Sequence, residues 1–172
     1  MSSREILYNS IKSLSDKNFT GKIYENNYDL DITVTYKPNM MSINGLKPEL
    51  PPFIMFEGDV IVAGESNDTY EKVSSDEGLQ YLKAFDPRIF GNENNLKIVK
   101  IQENEFSWEF TLEYDFTKII PDLPHAFIEW LQENGENPRN VHFVITKKDE
   151  KLQLMTHKDI STQNLLKIKF TY

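Results

Sequence analysis

The chain has 172 residues, a length that suits one domain, and its 39% hydrophobic and 27% charged content is that of an ordinary globular protein. A formal net charge of −8, with 19 basic residues scattered among 27 acidic ones, argues against nucleic acid as a ligand, because phosphate binding needs clustered Lys and Arg. The absence of cysteine removes disulfides, thiolate zinc sites and cysteine nucleophiles together.

The first residues, Ser3 to Leu14, place Ile6, Leu7, Ile11 and Leu14 on one side at helical spacing, with Arg4, Lys12 and Ser13 elsewhere, which predicts an amphipathic helix. The same stretch lacks the continuous apolar core of a secretory signal. As written, nothing directs export, and the expected compartment is the cytoplasm; a trimmed precursor would instead be exported. No run approaches the roughly 18 apolar residues of a membrane span.

Phe19, Gly21 and Ile23 then alternate with polar residues, Asn26 and Asn27 supply a turn, and Leu30, Ile32, Val34 and Tyr36 alternate with Asp29, Asp31, Thr33 and Thr35. This predicts a hairpin with one buried face. Pro38, Asn44-Gly45, Pro48 and Pro51-Pro52 follow in quick succession, predicting a loop with one short edge strand near Met40 to Ile43. A second meander is predicted from strands at Phe53 to Phe56, Asp59 to Ala63 and Thr69 to Val73, with a turn over Gly64 to Asp68.

Ser74 and Glu77 have the spacing of a capping box and predict a short helix through Leu79, Tyr81 and Leu82 that stops before Asp86-Pro87. Gly91 to Asn95 reads as a polar loop. Leu96 to Ile101 predicts a strand paired, through Glu103 and Asn104, with the clearest signal in the chain. From Glu105 to Asp115, Phe106, Trp108, Phe110, Leu112 and Tyr114 alternate without a break against Glu105, Ser107, Glu109, Thr111, Glu113 and Asp115.

Asp122, with Pro121 and Pro124, suits a helix start, Leu123, Phe127, Trp130 and Leu131 form its apolar stripe, and Gly135 is placed to end it. Three strands are predicted for the tail, at Val141 to Thr146, Leu152 to His157 and Leu165 to Tyr172. The fold class expected from this order is α+β, an antiparallel sheet covered by two or three helices, forming one domain over residues 1–172.

Chemistry is sparsely marked. His125, His142 and His157 are far apart and none is paired at helical metal-ligand spacing, so no metal or cofactor is expected. Asp29 with Asp31, and Glu109 with Glu113, have a spacing that fits Ca²⁺ or acid/base work and equally fits a solvated strand face. No phosphate loop or nucleophile elbow is present.

The order of elements carries a resemblance. The helix, the strand Phe19-Thr20-Gly21-Lys22-Ile23, the strand reaching Tyr36-Lys37-Pro38 and the meander after it resemble the lipoprotein-carrier family of LolA and its relatives of the LppX class. Val60 to Tyr70-Glu71-Lys72, Asp86-Pro87 after a helix, the hairpin from Val141 to Leu154 and the closing Lys167-Ile168-Lys169-Phe170-Thr171-Tyr172 are similar in their turn. The resemblance implies a strongly curved half-barrel whose concave apolar side is closed by helices and binds acyl chains or lipidated proteins. Carried over, that side comprises Ile32, Val34, Tyr36, Phe106, Trp108, Phe110, Leu112 and Tyr114, with Phe127 and Trp130 on a covering helix. The chain departs from the family in showing no signal peptide or lipobox and no matching basic residue at the cavity mouth.

Two expectations follow. The first is a noncatalytic protein holding a lipid or other apolar small molecule between sheet and helices; a packed core would cover the same aromatic face. The second is a protein-interaction or inhibitory module whose acidic strand face, Glu105, Glu109, Glu113 and Asp115, meets a basic protein partner. An enzyme ranks third, since general acid/base carboxylates leave no sequence signature.

Overall fold

The computed structural model describes residues 2–46, 53–56, 60–66, 69–72, 79–160 and 162–172. Eleven strands form a single sheet among the described residues: β1 (Phe19–Glu25), β2 (Tyr28–Lys37), β3 (Met40–Asn44), β4 (Phe53–Phe56), β5 (Val60–Ser66), β6 (Thr69–Lys72), β7 (Leu96–Glu103), β8 (Ser107–Tyr114), β9 (Arg139–Thr146), β10 (Leu152–Lys158) and β11 (Leu165–Thr171). Their spatial order is β6-β5-β4-β3-β2-β1-β11-β10-β9-β8-β7. Every neighbour is a sequential antiparallel pair except β1 and β11, which join the first strand to the last.

That order has a consequence for the covering layer. β6 and β7 follow one another in sequence but lie at opposite, unpaired edges, so the sheet is open, and residues 79–95 of the segment between them belong to the cover. Two 3-10 helices in that segment, Leu79–Phe85 and Pro87–Gly91, pack on the inward face, and a third turn, Glu93–Asn95, leads into β7. The first helix, α1 (Ser3–Lys12), capped by Ser2, lies beside Pro87–Gly91. Two more, α2 (Phe116–Ile119) and α3 (His125–Glu133), occupy the β8–β9 connection. The fold is therefore the expected α+β half-barrel, a sheet that does not close and helices on one side of it.

The alternation read in the sequence sets the faces. Ile23, Val34, Tyr36, Phe110, Leu112, Tyr114, Val141, Phe143, Met155 and Ile168 are all buried on the inward side with Leu7, Ile11 and Phe90. Burying an apolar side chain of this size contributes at most about 1.5–3 kcal/mol. Gly21 lies beneath Tyr36, where a Cβ would meet Ile168 Cγ2 at 2.7 Å. Asn26 and Asn27 both take positive φ, 47° and 78°, as the predicted two-residue hairpin turn requires.

Several expectations are corrected. β3 is an internal strand, laddered to both β2 and β4, because Pro38 is confined to the turn before it and the strand itself holds no proline. Gly64 belongs to β5, which runs on to Ser66 through a register irregularity that absorbs the glycine instead of a turn. The Ser74 to Glu77 capping box lies outside the described residues. The helix after it is 3-10 and stops before Asp86 as expected; beyond it Asp86 accepts from Arg88 N at 3.0 Å with Pro87 in the first turn of a second 3-10 helix that was not predicted, so the proline ends one and opens the next, and within the expected polar loop Glu93–Asn95 is a further 3-10 turn.

β8 starts at Ser107, two residues later than predicted, because Asn104 N donates to the Ser107 carbonyl at 2.8 Å and the turn takes up Glu105 and Phe106. Asp115 has left the strand to cap α2, a helix the sequence reading lacked. Asp122 does not start α3, which begins at His125; its carboxylate instead pairs with Lys83 Nζ at 2.8 Å. Gly135, at φ 66°, ends α3 as expected.

Candidate functional site: an apolar cavity under the helices

The two ends of the inward face are covered differently. At the end carrying the β9–β10 turn, α1 is anchored by Ser10 Oγ, which donates to the Glu150 carbonyl at 2.7 Å, and its apolar stripe fills the space above the sheet. Phe90 packs edge-on against Tyr114 and Phe143, at 5.2 and 5.6 Å between ring centroids, and closes that packed region. At the opposite end the cover stands off the sheet and leaves a cavity of about 500 Å³, within the range of about 300–1,000 Å³ common for small-ligand sites.

The floor of the cavity is sheet: Ile23 of β1, Leu30 and Ile32 of β2, Tyr114 of β8 and Leu166 of β11. Its roof is Tyr81, Leu82 and Phe85 from the first 3-10 helix, Phe116 of α2, and Phe127 and Trp130 of α3. Rings run continuously along the roof. Trp130 stacks on Phe127 at 6.1 Å, Phe127 meets Phe116 at 6.3 Å and Tyr81 at 6.0 Å, and Phe116 meets Tyr114 at 6.0 Å. Trp130 and Tyr81 keep 38% and 37% of their surface exposed, so the roof has an open side.

Polar groups gather at the inner wall. Arg139, only 7% exposed, pairs with Glu136 at 2.7 Å, donates to the Lys158 carbonyl and lies 6.0 Å over the Phe116 ring. His157, 5% exposed, is bonded to the backbone of Ala84, while its Nε2 has no partner. Burial, reinforced by the Arg139 charge, pushes its pKa down to about 3, so the imidazole is neutral at physiological pH. Burial also raises Tyr114 to about 12, opposed by the charge of Arg139 and by its hydrogen bond to the phenol.

Of the ten residues expected on the concave side, Ile32, Tyr114, Phe127 and Trp130 line the cavity together. Val34, Tyr36, Phe110 and Leu112 are on the same face but fully buried in the packed region. Trp108 is half-buried far from the cavity, with Lys147 Nζ 5.5 Å from its ring centre. Phe106 is not on the concave side: it is in the β7–β8 turn and 76% exposed.

The sequence reading overlooked Arg139 and His157. The signal was parity: Arg139 precedes Val141 by two in β9 and His157 follows Met155 by two in β10, so both continue an inward row with a polar side chain. Arg139 also supplies a basic residue at the cavity that was not located from the sequence.

The acidic set is dispersed. Glu105 is in the turn, and Asp115 Oδ1 caps Thr117 and accepts from Asn137. Glu109 and Glu113 share the outward face of β8, but Glu109 accepts from Asn104 Nδ2 at 2.6 Å and lies 3.4 Å from His142 Nε2, and Glu113 sits opposite Lys97. Among the described residues no group of three or more His, Asp or Glu is placed to hold a metal, and no helix is long and apolar enough to cross a membrane.

No protein-family model matches the sequence, and no curated protein matches it. Solved structures do. The chain is similar to LprF from Mycobacterium bovis at 16% identity and a TM-score of 0.45, over 98% of this chain and 90% of that one. It is similar to an uncharacterized conserved protein from Thermus thermophilus at 12% identity and 0.45, over 99% and 87%. A LolA superfamily protein from Nitrosomonas europaea is similar at 8% identity and 0.45, over 100% and 92%. The last carries the family name that the order of elements resembled.

Proposed function

We propose that this chain is a noncatalytic binding protein that holds a lipid or other apolar small molecule between its sheet and its covering helices. The supporting observation is the cavity of about 500 Å³ with apolar side chains on both floor and roof. A domain free to pack its core would bring Phe116, Phe127 and Trp130 down onto Ile23, Ile32 and Leu166. Apolar walls held apart lose contact energy that an apolar occupant restores.

The open side beside Trp130 and Tyr81 is the natural entry, because there the roof alone separates the cavity from solvent. Titration of the full chain with an environment-sensitive apolar fluorophore such as N-phenyl-1-naphthylamine tests the reading. Saturable binding with a blue-shifted emission is expected. Emission that rises linearly without saturation would refute it.

A further inference from the structure

The shape of the cavity limits what can occupy it. Its sheet-side lining comes from six consecutive strands, β2, β1, β11, β10, β9 and β8. The five spacings between them measure about 24 Å along the sheet, so the cavity is a slot laid across the strands and not a compact chamber. Spread over that length, the volume of about 500 Å³ leaves a mean section of about 20 Å². Carbon atoms in contact stand about 3.5–4.0 Å apart, so a section of that size takes one hydrocarbon chain and not two side by side.

The roof is tied down on both flanks of the slot. On the β2 flank Tyr36 and Phe85, hydrogen-bonded at 2.6 Å, join sheet to roof. On the β8 flank the two touch: the Phe116 ring lies 6.0 Å from that of Tyr114, with Arg139 6.0 Å over its other neighbours' edge of the sheet in β9. Asn137 holds Phe116 in place, its Oδ1 accepting from the Phe116 backbone N at 2.7 Å. A second chain beside the first would have to lift the roof against both fastenings.

The inner wall offers a polar head no partner. Glu136, the Lys158 carbonyl and the Tyr114 phenol take up the Arg139 guanidinium. Tyr114 and His157 line the slot, but the phenol oxygen and Nε2 are closed off from it by burial. A polar or charged head brought in there would lose its water without compensation, so it stays outside and the tail enters.

We propose that the cavity is a single-chain site: its ligand is an amphiphile with one acyl or alkyl chain, bound tail inward with the head in water, and lipids with two or three chains are excluded. This deepens the cavity-binding reading and rests on it, and the experiment separates the two.

Fluorophore bound to the full chain at pH 7.5 is displaced by two lipids with the same phosphocholine head, each kept below its micelle-forming concentration. Lauroyl-lysophosphatidylcholine has one twelve-carbon chain; dioctanoylphosphatidylcholine has two eight-carbon chains and the larger apolar area, so an unselective apolar surface would favour the second. The single-chain lipid should displace the fluorophore at a concentration at least about tenfold lower. In Phe127→Ala, which removes a half-buried ring from the roof and widens the slot, the ratio between the two lipids should fall toward one. Taking the ratio within each chain cancels any general change in affinity. Displacement by the two-chain lipid at an equal or lower concentration in the wild type would overturn the single-chain site while leaving the cavity reading intact. A preference unchanged in Phe127→Ala would overturn the claim that the slot sets it. A wild-type chain that never binds the fluorophore would overturn both readings.

Discussion

Tyr36 donates its hydroxyl to the Phe85 carbonyl at 2.6 Å, across 49 positions in sequence, and so pins the segment that roofs the cavity to the second strand of the sheet. The bond is wholly buried. Three residues on, Arg88 holds both Asp86 oxygens at 2.9 Å, donates to the Lys37 and Met40 carbonyls at 2.6 and 2.9 Å, and lies 5.7 Å over the Tyr36 ring. The roof is thus fastened beside the cavity on the side where β2 turns into β3.

Replacing Tyr36 by Phe should therefore destabilise the fold out of proportion to one oxygen. The Phe85 carbonyl would be left buried and unpaired, which costs about 1–3 kcal/mol. Urea unfolding should show a lower midpoint with an unchanged slope, the signature of lost stability without a change in exposed surface.

Most of the fold was legible in the sequence where one face is wet and the other dry. β2, β8 and β9 alternate cleanly, and their inward rows follow from parity alone. Between β6 and β7 the helical stretch ending before Asp86 was legible but its course was not, because that is dictated by strand order: nothing in Leu79 to Asn95 says that it lies over an eleven-stranded sheet. Trp108, Phe110 and Leu112 were expected at a cavity and Leu30, Phe85 and Phe116 were not, since periodicity tells which side of a strand is dry but not how far along it the cover stands off. Arg139 and His157 were missed for a related reason, that a polar residue in an inward row ends a pattern built on apolar ones.

His157 makes stability depend on pH in a direction that can be stated. Its folded pKa of about 3 lies below the ordinary value of 6.5, so between those limits the unfolded chain binds a proton that the folded chain does not. Stability from this residue is intact above about pH 6.5, falls by roughly 1.4 kcal/mol for each pH unit below it, and levels off near pH 3. In His157→Gln the unfolding free energy should fall less steeply than in the wild type between pH 6 and pH 4, a comparison that cancels the carboxylates common to both chains.

Gly21→Ala should be destabilising although alanine is ordinarily the better residue in a strand. The new methyl would sit 2.7 Å from Ile168 Cγ2 and 3.2 Å from Tyr36 Cε2, and crowding of this kind in a packed core costs about 1–3 kcal/mol. Thermal unfolding should record a lower midpoint. Pairing the change with Ile168→Val, which removes a methyl from the crowded side chain, should recover part of the loss.

Filling the cavity should block it. Ile32 stands on the floor and is half-buried, so Ile32→Trp places an indole in space that the wild type leaves open. Fluorophore binding should weaken at least about tenfold, and the unfolding midpoint should hold or rise, since the added ring gains contacts where none existed. The same substitution at Val34, fully buried in the packed region, should instead disrupt the fold.

The central claim, that this chain carries an apolar molecule between sheet and helices, is tested most directly by native mass spectrometry of the full chain purified from its source and again after incubation with dodecanol. The account predicts a mass above that of the bare polypeptide, as purified or after incubation, that returns to the bare value on denaturation or organic extraction. A bare mass in both samples would contradict it.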